Sequence, residues 1–200
     1  MAKQRKPQLP KNPQGNNPDD HPQIPADHRA AHLARLVSEG ARLLAAKRPG
    51  EAIPKLEEAL KLAPESVAAA INLGGAYILQ GRHDRAIAPL EHASRLEPDN
   101  AMIWSNLAAA YLGKLPFSTR QRQDQAIAAY ERALSLDPRA PNVHYNLGLI
   151  YLERNDTLHA AAHFYGALET DPTDRDAQTW LDKIRQGENA SADAGVQGEG

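Results

Sequence analysis

Two pairs of histidines have the spacing that a metal site would need. His28 and His32 lie four residues apart, as do His159 and His163, so each pair would share one face of a helix, as paired zinc ligands do. Neither pair belongs to a His-Glu-x-x-His motif. We therefore expect no metal site, and we expect the second pair to lie on a solvated outer face.

Other side-chain chemistry is equally restricted. The chain has no cysteine, which excludes disulfides, thiolate metal sites and cysteine nucleophiles. Gly74 and Gly75 lie within a helical pattern, whereas a phosphate-binding loop joins a strand to a helix. No catalytic triad or carboxylate pair can be assigned. We therefore predict that the protein is not an enzyme and has no catalytic residues, no cofactor and no small-molecule substrate.

A repeat in the sequence predicts the secondary structure on which these residues lie. Pro64, Pro98, Pro138 and Pro172 are separated by 34, 40 and 34 residues, and similar phrases precede them, such as Ala-Leu-Lys-Leu-Ala-Pro and Ala-Leu-Glu-Thr-Asp-Pro. A fixed period of this length predicts a solenoid. Alignment on the prolines brings similar residues to the same offsets, which in the second and fourth repeats are Leu73, Gly74, Tyr77, Ala86, Leu90 and Ala93, and Leu147, Gly148, Tyr151, Ala160, Phe164 and Ala167.

This pattern resembles the tetratricopeptide repeat, a helix-turn-helix unit of about 34 residues. The resemblance covers about residues 26–186 and implies an all-α fold, an α-solenoid that winds as a right-handed superhelix. Residues 175–186 form an amphipathic pattern that we interpret as a capping helix over the apolar face of the last repeat. The four repeats span about residues 33–66, 67–100, 101–140 and 141–174.

The two ends of the chain differ from this pattern in composition. Residues 1–25 are basic, rich in Pro, Asn and Gln, and contain six prolines, whereas residues 187–200 consist largely of Gly, Ala, Ser and acidic residues. Neither segment can bury enough apolar surface to offset the entropy lost on ordering. We therefore predict two disordered tails, one basic and one acidic.

The third repeat carries six extra residues, within 113–125, at the turn between its two helices. Ser118 and Gln121 have the spacing of a capping box, which predicts that the second helix begins near Thr119 and is longer than its equivalents. The inserted loop is either a tolerated surface insertion or a contact surface. Its candidate contact residues are Lys114, Phe117, Arg120 and Arg122.

Charge is absent from the first helix of each pair in repeats 2 to 4. Residues 66–81, 101–113 and 140–152 contain no Asp, Glu, Lys or Arg. Packing against the core accounts for one side of such helices. In the family that the chain resembles, the other side lines a concave groove that binds partner segments. The resemblance places in this groove Val37, Leu44, Ile71, Ile78, Met102, Ser105, Leu112, Tyr145, Leu149 and Leu152.

A groove with this lining predicts an apolar or amphipathic partner segment, because large apolar patches rarely stay uncovered. Closure of the superhelix, or occupancy by the chain's own residues 24–33, would cover the same surface. Some family members hold the acidic C-terminus of chaperones through a clamp of Lys, Arg and Asn. The corresponding positions here carry no cation to bind a carboxylate, since they are Val37, Ala41, Gly75, Ser105 and Ala109.

These observations predict a non-enzymatic scaffold or adaptor that binds a protein or peptide segment. Two alternatives stay open. One is self-association through the apolar wall, as a structural or assembly factor that forms homo-oligomers. The other is a nucleic-acid accessory role for the basic residues 3–11 and the loop 114–122, against which the dispersed cations and lack of interleaved aromatics argue.

Overall charge and hydropathy bear on location. The net charge of -2 predicts no attraction to nucleic acid or to a membrane surface. No run of about 18 apolar residues is present to span a bilayer. The basic start lacks the apolar stretch that follows it in a signal peptide. We therefore expect a cytoplasmic protein.

Overall fold

The computed structural model describes residues 26–115 and 117–196, with side chains over 28–115 and 117–187. The described residues form helices joined by turns, and no strand is among them. The helices are α1 (Ala26–Ala45), α2 (Pro49–Leu62), α3 (Val67–Leu79), α4 (His83–Leu96), α5 (Ala101–Leu112), α6 (Arg120–Leu136), α7 (Val143–Glu153), α8 (Thr157–Thr170) and α9 (Arg175–Val196).

The helices pack as consecutive pairs, and this confirms the predicted all-α repeat solenoid. Helix α1 packs on α2, α3 on α4, α5 on α6 and α7 on α8, while α9 packs on α8. The second helix of each pair ends two residues before the repeated proline, for instance at Leu62 before Pro64. Proline disfavours helical geometry in the preceding residue and cannot donate a backbone hydrogen bond, so it ends each repeat at the same point. None of the described helices is long and apolar enough to cross a membrane.

Close approach of paired helices depends on a small residue facing a large one. A Cβ atom on Gly74 would lie 2.6 Å from Cγ of Leu90, and one on Gly40 would lie 2.6 Å from Cδ2 of Leu56. Leu56 and Leu90 are fully buried. The glycines therefore let each large side chain pack against the backbone of the partner helix, as interlocking volumes require.

The inserted residues of the third repeat lengthen α6 as predicted, but the predicted cap is wrong. Helix α6 has 17 residues, against 14 in α4, and its N-cap is Thr119, whose side chain accepts a hydrogen bond from the Arg122 amide. Ser118, the predicted cap, precedes the actual N-cap by one residue. Its carbonyl oxygen accepts a hydrogen bond from Gln123 Nε2. Gly113, with φ of +65°, ends α5 in a conformation that glycine adopts without strain.

The capping helix is longer than predicted. Helix α9 continues to Val196 and so extends into residues 187–196, for which a disordered tail was predicted. Extending an existing helix adds one hydrogen bond per residue without a new nucleus, and alanine, which recurs in 190–194, is the best helix former. The predicted tail 1–25 and residues 197–200 lie outside the described residues.

The second histidine pair does not lie on a solvated face as predicted. His163 on α8 is half-buried, with its Nδ1 atom 3.2 Å from Nδ1 of His144 on α7. Its ring stacks on Tyr151 with the ring centroids 5.5 Å apart. Gly166 provides the space, because a Cβ atom there would lie 2.7 Å from His144 Nδ1. Of this pair, only His159 is exposed, and its ring forms a hydrogen bond with Asp156.

We expect His163 to make the protein less stable in mild acid. Burial, reinforced by His144 and His159, lowers the pKa of His163 to about 4. Histidine in the unfolded chain has a pKa of about 6.5, so between pH 6.5 and 4 the unfolded state binds more protons and stability falls as pH falls. These two pKa values correspond to a loss of about 2 kcal/mol between pH 7.5 and pH 5. Because the ring is only half-buried, solvent screening reduces this effect, and urea denaturation should show a free energy of unfolding lower by about 1 kcal/mol at pH 5.

His163→Phe should flatten this dependence, because phenylalanine can stack on Tyr151 without titrating. His28→Phe, on the exposed surface of α1, is the matched control and should leave the dependence unchanged. An equal slope in wild type and His163→Phe would show that other groups cause the acid sensitivity.

Replacing one or the other of two adjacent glycines on α3 by alanine should change the free energy of unfolding in opposite directions. Gly74→Ala forces a Cβ atom to within 2.6–2.8 Å of three atoms of the buried Leu90, and should lower the free energy of unfolding by about 1–3 kcal/mol. Gly75→Ala meets no atom within 4 Å and should raise it by about 0.4–1 kcal/mol through helix propensity. Urea denaturation followed by circular dichroism measures both. Shifts of the same sign would contradict the packing described for this pair.

Candidate functional site

The candidate site is the surface formed by the first helix of each pair, α1, α3, α5 and α7, which we call the first-helix surface. Helix α3 packs between α1 and α5, so the predicted binding residues of the first three repeats lie on adjacent helices. Ser66 and Asn100 cap α3 and α5 by accepting backbone hydrogen bonds from Ala69 and Met102. These caps satisfy amides that would otherwise lack partners, in helices that have no charged residue in their first turns.

Most of the predicted binding residues lie half-buried at the edge of a core cluster. Ile71 packs against the cluster of Ala70, Ala93 and Ile103. A half-buried side chain keeps one side on the core and presents the other to a partner, so its rotamer is already restricted before binding. The predicted residues in this state are Val37, Leu44, Ile71, Ile78, Ser105, Tyr145, Leu149 and Leu152.

Two positions, one on α3 and one on α5, define the open part of this surface. Met102 is 61% exposed. A Cβ atom on Gly75 would have no neighbour within 4 Å, so the space above this glycine is open. The Ser105 hydroxyl oxygen is shielded from solvent and has no hydrogen-bond partner among the described residues, so it offers no polar contact to a ligand. The accessible lining here is therefore apolar.

Leu112 departs from the prediction, because it is only 7% exposed and belongs to the core. It lies in one cluster with Ile127 of α6 and Leu147 of α7, and Leu115 from the inserted segment packs against the same cluster. The extra residues of the third repeat thus cover a position that the regular repeat leaves open. Leu112 should be removed from the set of binding residues.

An open hollow lies where the first-helix surface meets the capping helix. It has a volume of about 500 Å³ and is lined by Leu115, Leu149, Leu152, Glu153 and Trp180. Leu149 and Leu152 were predicted as binding residues, whereas Leu115 and Trp180 were not. Trp180 lies on the side of α9 that packs on α8, where its ring stacks on Phe164 with the ring centroids 6.3 Å apart. The hollow is formed by the inserted segment and the capping helix together. It therefore could not be predicted from the pattern of a single repeat.

Two tyrosines of the first helices are held by glutamates of the preceding repeat, which the sequence analysis missed. Tyr77 donates a hydrogen bond to Glu57 at 2.5 Å, and Tyr111 donates one to Glu91 at 2.7 Å. Burial and the Glu91 carboxylate raise the pKa of Tyr111 to about 12. In both pairs the glutamate precedes the tyrosine by 20 residues, and this shared spacing is the signal in the sequence that could have predicted the two bonds. These bonds position α3 and α5 against the preceding pair rather than contact a ligand.

The inserted segment is tied to the repeats on both sides of it. Arg122 forms an ion pair with Asp84 at the start of α4. Arg154, at the end of α7, donates to Gln123 at 2.9 Å and to Asp124 at 2.6 Å. Gln123 is a buried polar residue, 5% exposed. Of the predicted loop contacts, Arg122 is therefore engaged within the chain.

The other three predicted loop residues, Lys114, Phe117 and Arg120, remain exposed. Phe117 is 85% exposed, the highest value among the large apolar side chains that the structure describes. Across the described ranges, no three His, Asp or Glu side chains lie together in a way that could hold a metal ion.

Comparison with known proteins identifies similar folds. PilF of Pseudomonas aeruginosa is 19% identical, with 86% of this chain and 79% of that chain covered and a TM-score of 0.68. TTC0263, a tetratricopeptide protein of Thermus thermophilus, is 22% identical over 78% and 82% of the two chains, with a TM-score of 0.65. MamA from Desulfovibrio magneticus RS-1 is 24% identical over 72% and 77%, with a TM-score of 0.61.

None of the curated protein sequences matches the chain. Tetratricopeptide repeat models match residues 43–111 and 141–174, and a model described as a TPR repeat matches residues 119–155. Together they cover more than half of the sequence, and the chain belongs to the tetratricopeptide repeat family.

Proposed function

We propose that this chain is a scaffold whose first-helix surface binds the apolar side of a partner protein segment, either an amphipathic helix or an extended strand. Proteins of this family act in general as scaffolds for protein interaction. The observation that carries the finer proposal is the lack of charge on three of its four helices, α3, α5 and α7, whereas α1 does carry charged residues such as Arg35 and Glu39. Helices α3 and α5 contain no charged residue, and the only one in α7 is Glu153 at its end.

The lining favours an apolar partner through both attraction and exclusion. Burying apolar area contributes about 25 cal/mol per Å², so several half-buried side chains can supply the affinity. A partner carboxylate or ammonium placed on the same surface would lose water without gaining a partner, which costs free energy. Positions Val37, Gly75 and Ala109 have no group that could compensate such a charge.

The open space above Gly75 should form part of the binding path. It lies on α3 between Ile71 and Ile78, and the corresponding positions on α1 and α5 are the small residues Ala41 and Ala109. Small residues at these places let a partner backbone approach the helices, while the larger neighbours contact its side chains. The binding unit in this proposal is the array of residues 26–186.

Filling this space should block binding without unfolding the protein. Gly75→Arg places a long cation on the open surface, where its Cβ atom meets nothing within 4 Å. Ala128→Arg, on the exposed side of α6, is the matched control for charge and size. Selection from a random peptide library displayed on phage should recover apolar or amphipathic sequences with the wild type and with Ala128→Arg. Recovery should fall at least about tenfold with Gly75→Arg, a loss of about 1.4 kcal/mol.

Circular dichroism and thermal melting of each variant show whether it is folded, so a loss of peptide recovery caused by unfolding can be recognised. Peptides rich in acidic residues, or equal recovery with Gly75→Arg and wild type, would contradict binding at the first-helix surface. Affinity purification with mass spectrometry on the same three proteins would then identify natural partners whose capture depends on Gly75.

A further inference from the structure

Phe117 is exposed to solvent beside residues that are hydrogen-bonded to the start of α6. The Phe117 amide donates a hydrogen bond to the Lys114 carbonyl oxygen at 2.8 Å. On its other side, the Ser118 carbonyl accepts a bond from the buried Gln123, and Thr119 caps α6. A phenylalanine side chain has only two rotatable bonds and loses little conformational entropy on binding, so Phe117 is suited to act as an anchor.

The same chain has a hollow that fits such an anchor. The hollow lined by Leu115, Leu149, Leu152 and Trp180 has a volume of about 500 Å³. Sites that enclose small ligands range from about 300 to 1,000 Å³, so the hollow has room for an aromatic ring. Its lining is predominantly apolar. Phe117 does not fill the hollow of its own chain, since it is 85% exposed.

The charges around the anchor and around the hollow are complementary. Lys114 and Arg120 flank Phe117, and neither side chain has an ion-pair partner among the described residues. Glu153 lines the hollow and is exposed, likewise without an ion-pair partner in the described part of the chain. An aromatic residue between cations therefore faces an apolar site with a carboxylate at its rim, an arrangement that fixes orientation in an interface.

Anchor and hollow lie side by side on one chain. Leu115 of the hollow is two residues from Phe117, and Arg154, next to Glu153, donates a hydrogen bond to the Arg120 carbonyl oxygen. Two copies related by a two-fold axis could therefore insert both anchors at once. In such an interface the same patch serves both subunits and the assembly closes as a dimer.

We infer that a second copy of this chain occupies the hollow, by reciprocal insertion of Phe117 beside Leu149, Leu152 and Trp180, with Lys114 and Arg120 facing Glu153 of the other copy. Two anchors with a small surrounding area predict a weak dimer, with a dissociation constant on the order of 100 µM. The dimer covers Leu149 and Leu152, so it would compete with a partner segment at this end of the first-helix surface. The inference does not depend on the identity of that partner.

Sedimentation equilibrium of the purified full chain, from about 10 µM to about 1 mM, tests the dimer directly. The wild type should show a reversible monomer–dimer equilibrium. Phe117→Ser should weaken it at least about tenfold, the loss expected when an aromatic anchor is removed. Leu158→Ser removes another exposed large apolar residue, 77% exposed on α8, and should leave the equilibrium unchanged.

A charge exchange distinguishes this interface from other modes of association. Glu153→Lys should weaken the dimer, and Glu153→Lys combined with Arg120→Glu should restore it in part, because each copy again pairs opposite charges. A wild type that stays monomeric up to about 1 mM overturns the inference. So does a dimer that persists unchanged in Phe117→Ser, or one that Leu158→Ser weakens equally.

Discussion

The close approach of two helices at a glycine is the constraint on which the rest of this structure depends. Where Gly40 faces Leu56, and Gly74 faces Leu90, a single added methyl group would overlap the opposite side chain. The same relation holds between Gly148 and Phe164. The third pair has the small, fully buried Ala108 at the equivalent position, so in all four pairs the second helix covers the same side of the first. The other side of the first helix is left as a surface, and the packing of α3 between α1 and α5 makes that surface continuous over the first three repeats.

Polar contacts then set how one pair is placed on the next. The bonds from Tyr77 to Glu57 and from Tyr111 to Glu91 join the first helix of one repeat to the second helix of the repeat before it. The fourth repeat lacks an equivalent bond at Tyr151, whose ring stacks on His163 instead. The polar ties lie toward the second helices, which carry most of the charge. Helices α3 and α5 can therefore stay uncharged without leaving the repeats unconnected.

The fold was predictable because its determinants are local and recur. A proline two residues after a helix, or a glycine three residues before a tyrosine, has the same effect wherever it recurs, so alignment shows its role. The features that the sequence did not reveal each depend on two segments meeting. Leu112 is buried because the insertion and α7 reach it, and His163 is shielded because Gly166 admits the ring of His144. The extension of α9 was missed for a different reason, since low apolar content excludes packing but does not exclude a helix that has already been nucleated.

The insertion in the third repeat shows why length alone does not reveal function. A loop lengthened without selection costs little, and it needs no contacts beyond its own ends. This segment instead forms an ion pair with the preceding repeat through Arg122 and contributes Asp124 and the buried Gln123 to the following repeat through Arg154. Ordering those long side chains costs entropy, and exposed ion pairs return little of it. These contacts hold the start of α6, three residues after Phe117. In the proposed dimer, they would keep this anchor close to the site that it enters on the other copy.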